Sequence, residues 1–432
     1  PVLGGGDCDD SNPDVHPGAV EIARNSLDDD CYGGDSPGSQ ATQIITAAPR
    51  KSAAVRGLIQ RPNIIMVTID TLRADHLGYM GYERPTSPFL DELASGGLRF
   101  TWAFSQGPQT RVSIPSLMTG RYYSELERTP DIWARIHSEN VLLAERLKTA
   151  GYRTAGIPSH RFFLPNYGLD QGYDDWDLSI VEKFQTRTPK VVTGSLVSDR
   201  ALDWLGKRGV NDGAFFLWLH YFDPHHVYID HDEYDFGETE LDRYDEEIRY
   251  TDTQLGRILS WLAGSPFADS TYIVVHSDHS EAFGMHGYKR HGQNLFNDQV
   301  RVPLIIAGPG LRSRQVDTPV AMLDIVPTVL DLAGIEAPGD LPGVSLVPYG
   351  TEVEPAPHPP VFVEMLKDPT HSDRRAIIDW PWKLQFGITF DEYTLYDLSQ
   401  DPHELRNMIK QRPEVFRRLQ ERLRVWMSEE VK

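Results

Sequence analysis

Three short stretches carry residue types that do chemistry. Asn63-Ile-Ile-Met-Val-Thr-Ile-Asp70 is an apolar run that closes on a carboxylate. Tyr272–His276 is a second run of this kind, and it leads into Ser277-Asp278-His279. Two carboxylates and an imidazole brought together make a mixed oxygen and nitrogen donor set for a divalent cation. Taken singly, each Asp equally suits a helix cap and the His a loop hydrogen bond; their recurrence at the ends of apolar runs is what points to metal. The third stretch, Thr110-Arg-Val-Ser-Ile-Pro-Ser-Leu-Met-Thr-Gly120, sets hydroxyls ahead of a short apolar run, where a Thr or Ser serves as a helix cap or as a nucleophile. Imidazoles titrate near neutrality, so histidines are the candidate proton donors to a leaving alkoxide. Asp75-His76 reads as structural.

Hydrophobic periodicity indicates the elements that must deliver these side chains. A continuous apolar run such as Ile64–Ile69 suits a parallel strand buried on both faces, and open α/β sheets bind ligands at the carboxyl ends of their strands. Further strand signals at Thr154–Ile157, Ala214–His220, Thr271–Ser277 and Val302–Ala307 alternate with helical patterns around Pro88–Gly96, Val141–Gly151, Ser195–Lys207 and Glu246–Ala263. This alternation predicts an α/β fold with Asp70, Asp278 and His279 on one sheet edge. Beyond about residue 342 the pattern becomes Pro-rich loop, short strands near Val361–Glu364 and Arg375–Leu384, and a last helix from about Pro413. Val415, Phe416, Leu419, Leu423 and Trp426 give that helix one apolar stripe. The expected organisation is an acidic module over 1–35, a linker over 36–60, a catalytic domain over 61–345 and a C-terminal subdomain over 346–432.

The chain has 432 residues, 40% apolar and 24% charged, an ordinary globular composition. Its net charge of −21 repels phosphate backbones and anionic lipid heads, so nucleic acid is not an expected partner. Nine of the acidic residues fall within residues 1–35 against Arg24 alone. Hard cations take carboxylate and amide oxygens at alternate loop positions, which makes Asp7, Asp9, Asp28 and Asp30 candidate calcium ligands. Cys8 and Cys31, the two cysteines of the chain, lie in the same segment. A disulfide between them would stabilise by ~3 kcal/mol and imply an oxidising compartment, free thiols being the alternative. No apolar run approaches the roughly 20 residues of a membrane helix. The chain opens at Pro1 without an apolar leader, which leaves a removed signal peptide or lipid anchor open, and an extracytoplasmic location (periplasm, cell surface or medium) is inferred from the acidic module alone.

Six motifs, in order over about residues 61–430, resemble the sulfatase branch of the alkaline phosphatase superfamily. Arg61–Asp70 resembles the family's opening strand with its metal-binding Asp, and Leu117-Met-Thr-Gly-Arg-Tyr122 the segment after its nucleophile. Trp218–His225 resembles the central His motif, His276–Gly287 the second metal pair, Arg301–Ile306 the strand after it, and Tyr396–Asn407 the closing motif. The resemblance implies an alkaline-phosphatase-like mixed central sheet flanked by helices, a small C-terminal α+β subdomain, and ester hydrolysis at a single cation. Asp-Cys-Asp-Asp, Pro-Gly-Ala-x-Glu and Asp-Asp-Asp-Cys in the acidic segment are similar to a short metal-binding motif of secreted bacterial proteins.

One departure bears on the chemistry. The family carries Cys or Ser at the head of Cys/Ser-x-Pro-x-Arg and oxidises it to formylglycine. Counting back from Thr119 puts Thr110 at that head, with Val112 and Ile114 in place of Pro and Arg. A register starting at Ser113 supplies Ser and Pro but sits too close to Thr119-Gly120, so Thr110 is preferred. Threonine does not yield that aldehyde. The expectation therefore moves toward relatives that use an unmodified Thr, such as lipoteichoic acid synthases and phosphoethanolamine transferases. The resemblance implies Asp70, Thr110, Asp278 and His279 as metal ligands, and Thr110, His220 in Trp-Leu-His-Tyr and, at the family's Lys position, His291 in Lys-Arg-His-Gly as catalytic residues, the two histidines as proton donors with His225, His286 and Lys289 behind them. Thr71 stands where many sulfatases have a second Asp, which weakens the case for calcium there and favours manganese, magnesium or zinc. The expected activity is metal-dependent cleavage of a small-molecule or glycan sulfate or phosphate ester by in-line attack involving Thr110. A phosphodiesterase or phospho-group transferase with a covalent Thr110 intermediate, and a degenerate glycan-binding protein, are the alternatives. The loops over 159–177 and 225–242 are expected to contact the organic part of the substrate, and neither carries a recognisable motif.

Overall fold

The computed structural model describes residues 61–183 and 192–430. Asp7, Asp9, Asp28, Asp30, Cys8 and Cys31 lie outside the described residues. In chain order the first strands are β1 (Asn63–Ile69), β2 (Leu98–Phe104), β3 (Arg153–Ile157), β4 (Asp175–Trp176), β5 (Phe215–Tyr221) and β6 (Thr271–His276). A hairpin of β7 (Ala282–Phe283) and β8 (Lys289–Arg290) follows, then β9 (Arg301–Ala307), β10 (Arg314–Val316) and β11 (Val320–Ala321). The C-terminal strands are β12 (Val361–Met365), β13 (Arg374–Asp379), β14 (Trp382–Gly387) and β15 (Glu392–Asp397). The helices are α1 (Pro88–Gly96), α2 (Thr110–Thr119), α3 (Leu143–Thr149), α4 (Ser179–Lys183), α5 (Gly194–Gly206), α6 (Glu240–Ala263), α7 (Asn297–Val300), α8 (Ile325–Leu332) and α9 (Pro413–Glu430).

The large sheet runs β10-β2-β9-β6-β1-β5-β3-β4, with β11 also on β2. Only β9 runs against its neighbours, pairing antiparallel with both β6 and β2. The carboxyl ends of β1, β2, β5 and β6 therefore open on the same edge, joined there by the start of β9. The apolar run of β1 is continuous because both of its faces are covered. Ile64 and Met66 join a core under α2, α3 and α8, whereas Ile65, Val67 and Ile69 join one under α1, α5 and α6. The antiparallel sheet β12-β13-β14-β15 packs on α9 around Val363, Ile377, Leu384 and Leu419. Phe104 and Leu323 of the first unit belong to this third core, which ties the two units together. The expected mixed central sheet flanked by helices, with a small α+β unit after it, is the observed architecture. No helix among the described residues is long and apolar enough to cross a membrane.

Three elements differ from the periodicity reading. Helix α6 starts at Glu240 and not at Glu246, because the Thr239 hydroxyl accepts from Asp242 N (3.1 Å) and caps an extra turn and a half of polar sequence. Strand β2 was not signalled, although Leu98, Phe100, Trp102 and Phe104 alternate with Arg99 and Thr101; a register shift between Phe100 and Ala103 buries Ala103 and leaves Trp102 part-exposed. The single strand expected over Arg375–Leu384 is a hairpin, β13 and β14, reversing at Trp380-Pro381.

Candidate active site

The turn after β1 brings Asp70 out of the sheet and then bends sharply, with Thr71 at φ 57, a left-handed conformation that a β-branched residue adopts only when its surroundings enforce it. They do: the Tyr244 hydroxyl donates to Thr71 O (2.7 Å), and Leu72 N donates to Ser277 Oγ (3.0 Å), stapling the end of β1 to that of β6. Asp278 Oδ1 accepts from His279 N (2.9 Å) and Thr71 N (3.4 Å). Asp70, Asp278 and His279, all buried, each present a ligand atom within 4.8 Å of the others.

Helix α2 supplies the hydroxyl. It starts at Thr110 and ends at Gly120, whose φ of 74 closes the helix in the conformation that glycine adopts freely. Thr110 Oγ1 lies 3.1 Å from His279 Nε2, at the helix N-terminus, where the peptide dipoles favour negative charge. In the competing register, the Ser113 hydroxyl donates back to Gln109 O (2.8 Å) and lies 3.5 Å from Asp278 Oδ2.

Electrostatics and tautomers define what each group can do. Neither oxygen of Asp70 makes a hydrogen bond. Burial first, then the charges of Asp278 and Glu281, push its pKa well above the ordinary carboxylate value. Burial also pushes Asp278 up to about 6 and His279 down to about 3. His279 Nδ1–H donates to Ser280 O (3.1 Å), which leaves the Nε2 lone pair facing Thr110 and the carboxylates. Ser159 spends its hydroxyl proton on His220 O (2.6 Å), so His220 Nδ1–H donates to Ser159 Oγ (3.0 Å). His220 Nε2 is then a buried, unpartnered acceptor 3.7 Å from Asp70 Oδ2, and this imidazole takes a proton before it can give one. His291 is the converse case: burial lowers its pKa, but Glu281 Oε1 at 3.1 Å outweighs this and leaves it above the ordinary value. Its ring lies 4.5 Å from that of His279, tilted by 39°. Two unpartnered carboxylate oxygens on Asp70, beside the ligand atoms of Asp278 and His279, fit a divalent cation, which Asp70, Asp278, His279 and Thr110 can hold.

A cavity of about 390 Å³ opens at this cluster, lined by Thr110, Arg111, Trp133, His160, His225, His291 and His371. A larger cavity, of about 530 Å³, lies at the opposite sheet edge between α1 and α6; Glu92 is its one titratable lining residue. Of the expected site residues, Asp70, Thr110, His220, Asp278, His279 and His291 meet at the first cavity, and His225 lines it. His286 instead stacks on Phe296 with ring centroids 3.7 Å apart, and Lys289 pairs with Glu240 (3.1 Å) at the surface. His76 donates to or accepts from Asp245 (2.6 Å), and Asp75 pairs with Arg73 (2.7 Å), both away from the cavity. The loops over 159–177 and 225–242 contribute only Ser159, His160 and His225. Sequence reading missed Arg111, Trp133, Glu281 and His371. Glu281 was within reach, two residues past His279, whereas His371 arrives from the C-terminal unit.

The sulfatase family model matches residues 62–335, and a second model, N-sulphoglucosamine sulphohydrolase, C-terminal, matches 284–429. A short metal-binding-motif model of the Cu-binding MopE type matches residues 7–36. The uncharacterized sulfatase YidJ of Escherichia coli is 27% identical over 81% of this chain and 84% of its own length. Arylsulfatase K of Bos taurus is 23% identical over 89% and 86%. Among solved structures, a 2-O GAG sulfatase superposes with a TM-score of 0.73 at 19% identity, covering 86% of this chain and 93% of that one. The phosphonate monoester hydrolase of Agrobacterium radiobacter gives 0.69 at 21% identity, over 86% and 96%. With the family model spanning the strands, the helix and the loops that build the cluster, this chain belongs to the sulfatase family of the alkaline phosphatase superfamily.

Proposed function

We propose that this chain is a metal-dependent hydrolase of a sulfate or phosphate ester, in which the Thr110 hydroxyl attacks in line. The observation that carries the reading is the meeting of Thr110 Oγ1 with Asp70, Asp278 and His279 at the floor of a cavity, with both Asp70 oxygens unsatisfied. Buried carboxylates without partners are costly, and a cation held by Asp70, Thr110, Asp278 and His279 offsets that cost. When bound, it lowers the pKa of the hydroxyl and neutralises charge on the ester oxygens. The short carboxylate count favours manganese, magnesium or zinc over calcium. In this reading the Nε2 atom of His220 accepts a proton, and His291, whose pKa Glu281 raises, donates one to the leaving alcohol oxygen. Thr110 then carries the sulfuryl or phosphoryl group until water releases it.

An unmodified hydroxyl equally serves phosphodiester cleavage or phospho-group transfer, and this is the second reading. The motif over residues 7–36 supports calcium in the N-terminal module and an extracytoplasmic location. Matched aryl sulfate, phosphate monoester and phosphodiester substrates decide among the esters when assayed with metal-repleted protein. The turned-over ester identifies the reaction, and Thr110→Ala and Asp278→Ala are each expected to lower its kcat by at least about 10³-fold. Undiminished turnover in Thr110→Ala would remove Thr110 from the chemistry, and the absence of turnover on all three would favour a glycan-binding protein.

A further inference from the structure

The wall of the cavity next to Thr110 carries a buried ion pair. Arg111, the residue after Thr110, is 8% exposed and lines the cavity, and each of its three nitrogens already has a partner. Nε donates to Gln109 Oε1 (2.6 Å), Nη1 to Ile132 O (2.9 Å), and Nη2 to the Asp368 carboxylate. Asp368 comes from the C-terminal unit and is itself locked by Thr370 N (2.6 Å) and His371 N (2.9 Å). The guanidinium that reaches the cavity is thus already matched by a carboxylate, in a protein of net charge −21.

We propose that the substrate is the ester of an alcohol bearing no second anionic group, and that Asp368 sets this preference by neutralising Arg111. The inference rests on the ester-hydrolase reading above and specifies the organic part that reading leaves open. A carboxylate or second sulfate on the alcohol would enter a wall whose guanidinium is already paired, lose its hydration and gain no free cation in return. A sugar hydroxyl or a phenyl ring suffers no such loss, and Trp133 offers it an aromatic face.

The test compares 3-carbamoylphenyl and 3-carboxyphenyl esters, equal in shape and different in charge, with metal-repleted full chain and whichever ester type is turned over. The wild-type chain is expected to favour the carbamoyl compound at least tenfold in kcat/KM, with the difference in KM. Asp368→Asn, which frees Arg111, is expected to bring that ratio near one, and Asp368→Asn with Arg111→Gln to restore a preference for the neutral ester. Binding of the product phenols, 3-hydroxybenzamide and 3-hydroxybenzoate, is measured by calorimetry in parallel and needs no turnover. Equal or tighter binding of the benzoate by wild-type protein, or a ratio unmoved by Asp368→Asn, overturns the proposal. Absence of turnover alongside selective benzamide binding overturns the hydrolase reading and leaves the charge preference standing.

Discussion

Asp70 sits in an electrostatically costly position. It is fully buried, neither oxygen is hydrogen-bonded, and Asp278 lies beside it. Such an arrangement is destabilising in a metal-free protein and stabilising once a cation is bound, since a ligand that binds only the folded state raises its stability. Metal is therefore expected to raise the Tm of the wild-type chain by several degrees. In Asp70→Asn that rise should fall to near zero, while the metal-free variant melts no lower than metal-free wild type. Differential scanning calorimetry with and without manganese or zinc checks both halves, and a metal-free Asp70→Asn that melts well below wild type would mean the carboxylate is held by something other than a cation. The same reasoning separates the two imidazoles: the Ser159 hydroxyl makes His220 an acceptor, and Glu281 makes His291 a donor.

At the scale of elements, the site is an edge on which independent strands end. β1 and β6 deliver the acids and His279, β5 delivers His220, and α2 delivers Thr110. The segment before β12 is pinned to the start of α8 by a buried pair: His358 Nε2 lies 2.9 Å from Asp324 Oδ2, and Asp324 also accepts from Ala321 N (2.7 Å) and Val344 N (2.8 Å). Burial lowers the pKa of His358, but Asp324 outweighs it and leaves it above the ordinary value. A group whose folded pKa is raised stabilises below its unfolded value, near 6.5, and ceases to as pH rises through the folded value. The unfolding free energy of wild type should thus exceed that of His358→Gln by about 1 kcal/mol more at pH 6 than at pH 9, as read from urea titrations at both values. A constant difference would mean the pair contributes through packing and not through charge.

At the scale of the whole molecule, the C-terminal sheet is part of the site and not an appendage. Its core takes in Phe104 and Leu323 of the large unit, and its loop carries Asp368 and His371 to the cavity rim. The charge is concentrated at the other end of the chain, in residues 1–35, with nine acids against one Arg. If these residues take up calcium through the motif matched at 7–36, millimolar calcium is expected to slow proteolysis within them several-fold and chelator to reverse it. Equal cleavage rates in both would leave the segment as a solvated acidic tail.

Periodicity by itself determined the α/β class, the order of the principal strands and helices, and Asp70, Asp278 and His279 as chemical candidates, and the resemblance to the sulfatase family added Thr110. The first three are legible because a buried parallel strand must be continuously apolar, so the first polar residue after it stands out, and Thr110 because counting back from Thr119 in the family's motif needs no coordinates. Strand β2 was missed although its apolar residues alternate, and the bulge that buries Ala103 in place of Trp102 was visible only in the fold. The tautomers of His220 and His291, the removal of His286 and Lys289 from the site, and the masking of Arg111 by Asp368 were decided only by the tertiary structure. Each depends on a partner 10 to 257 residues away in sequence, or, for His286 and Lys289, on which way a short hairpin loop faces. Local sequence limits a residue's type and element; which charge lies opposite it is a property of the closed fold.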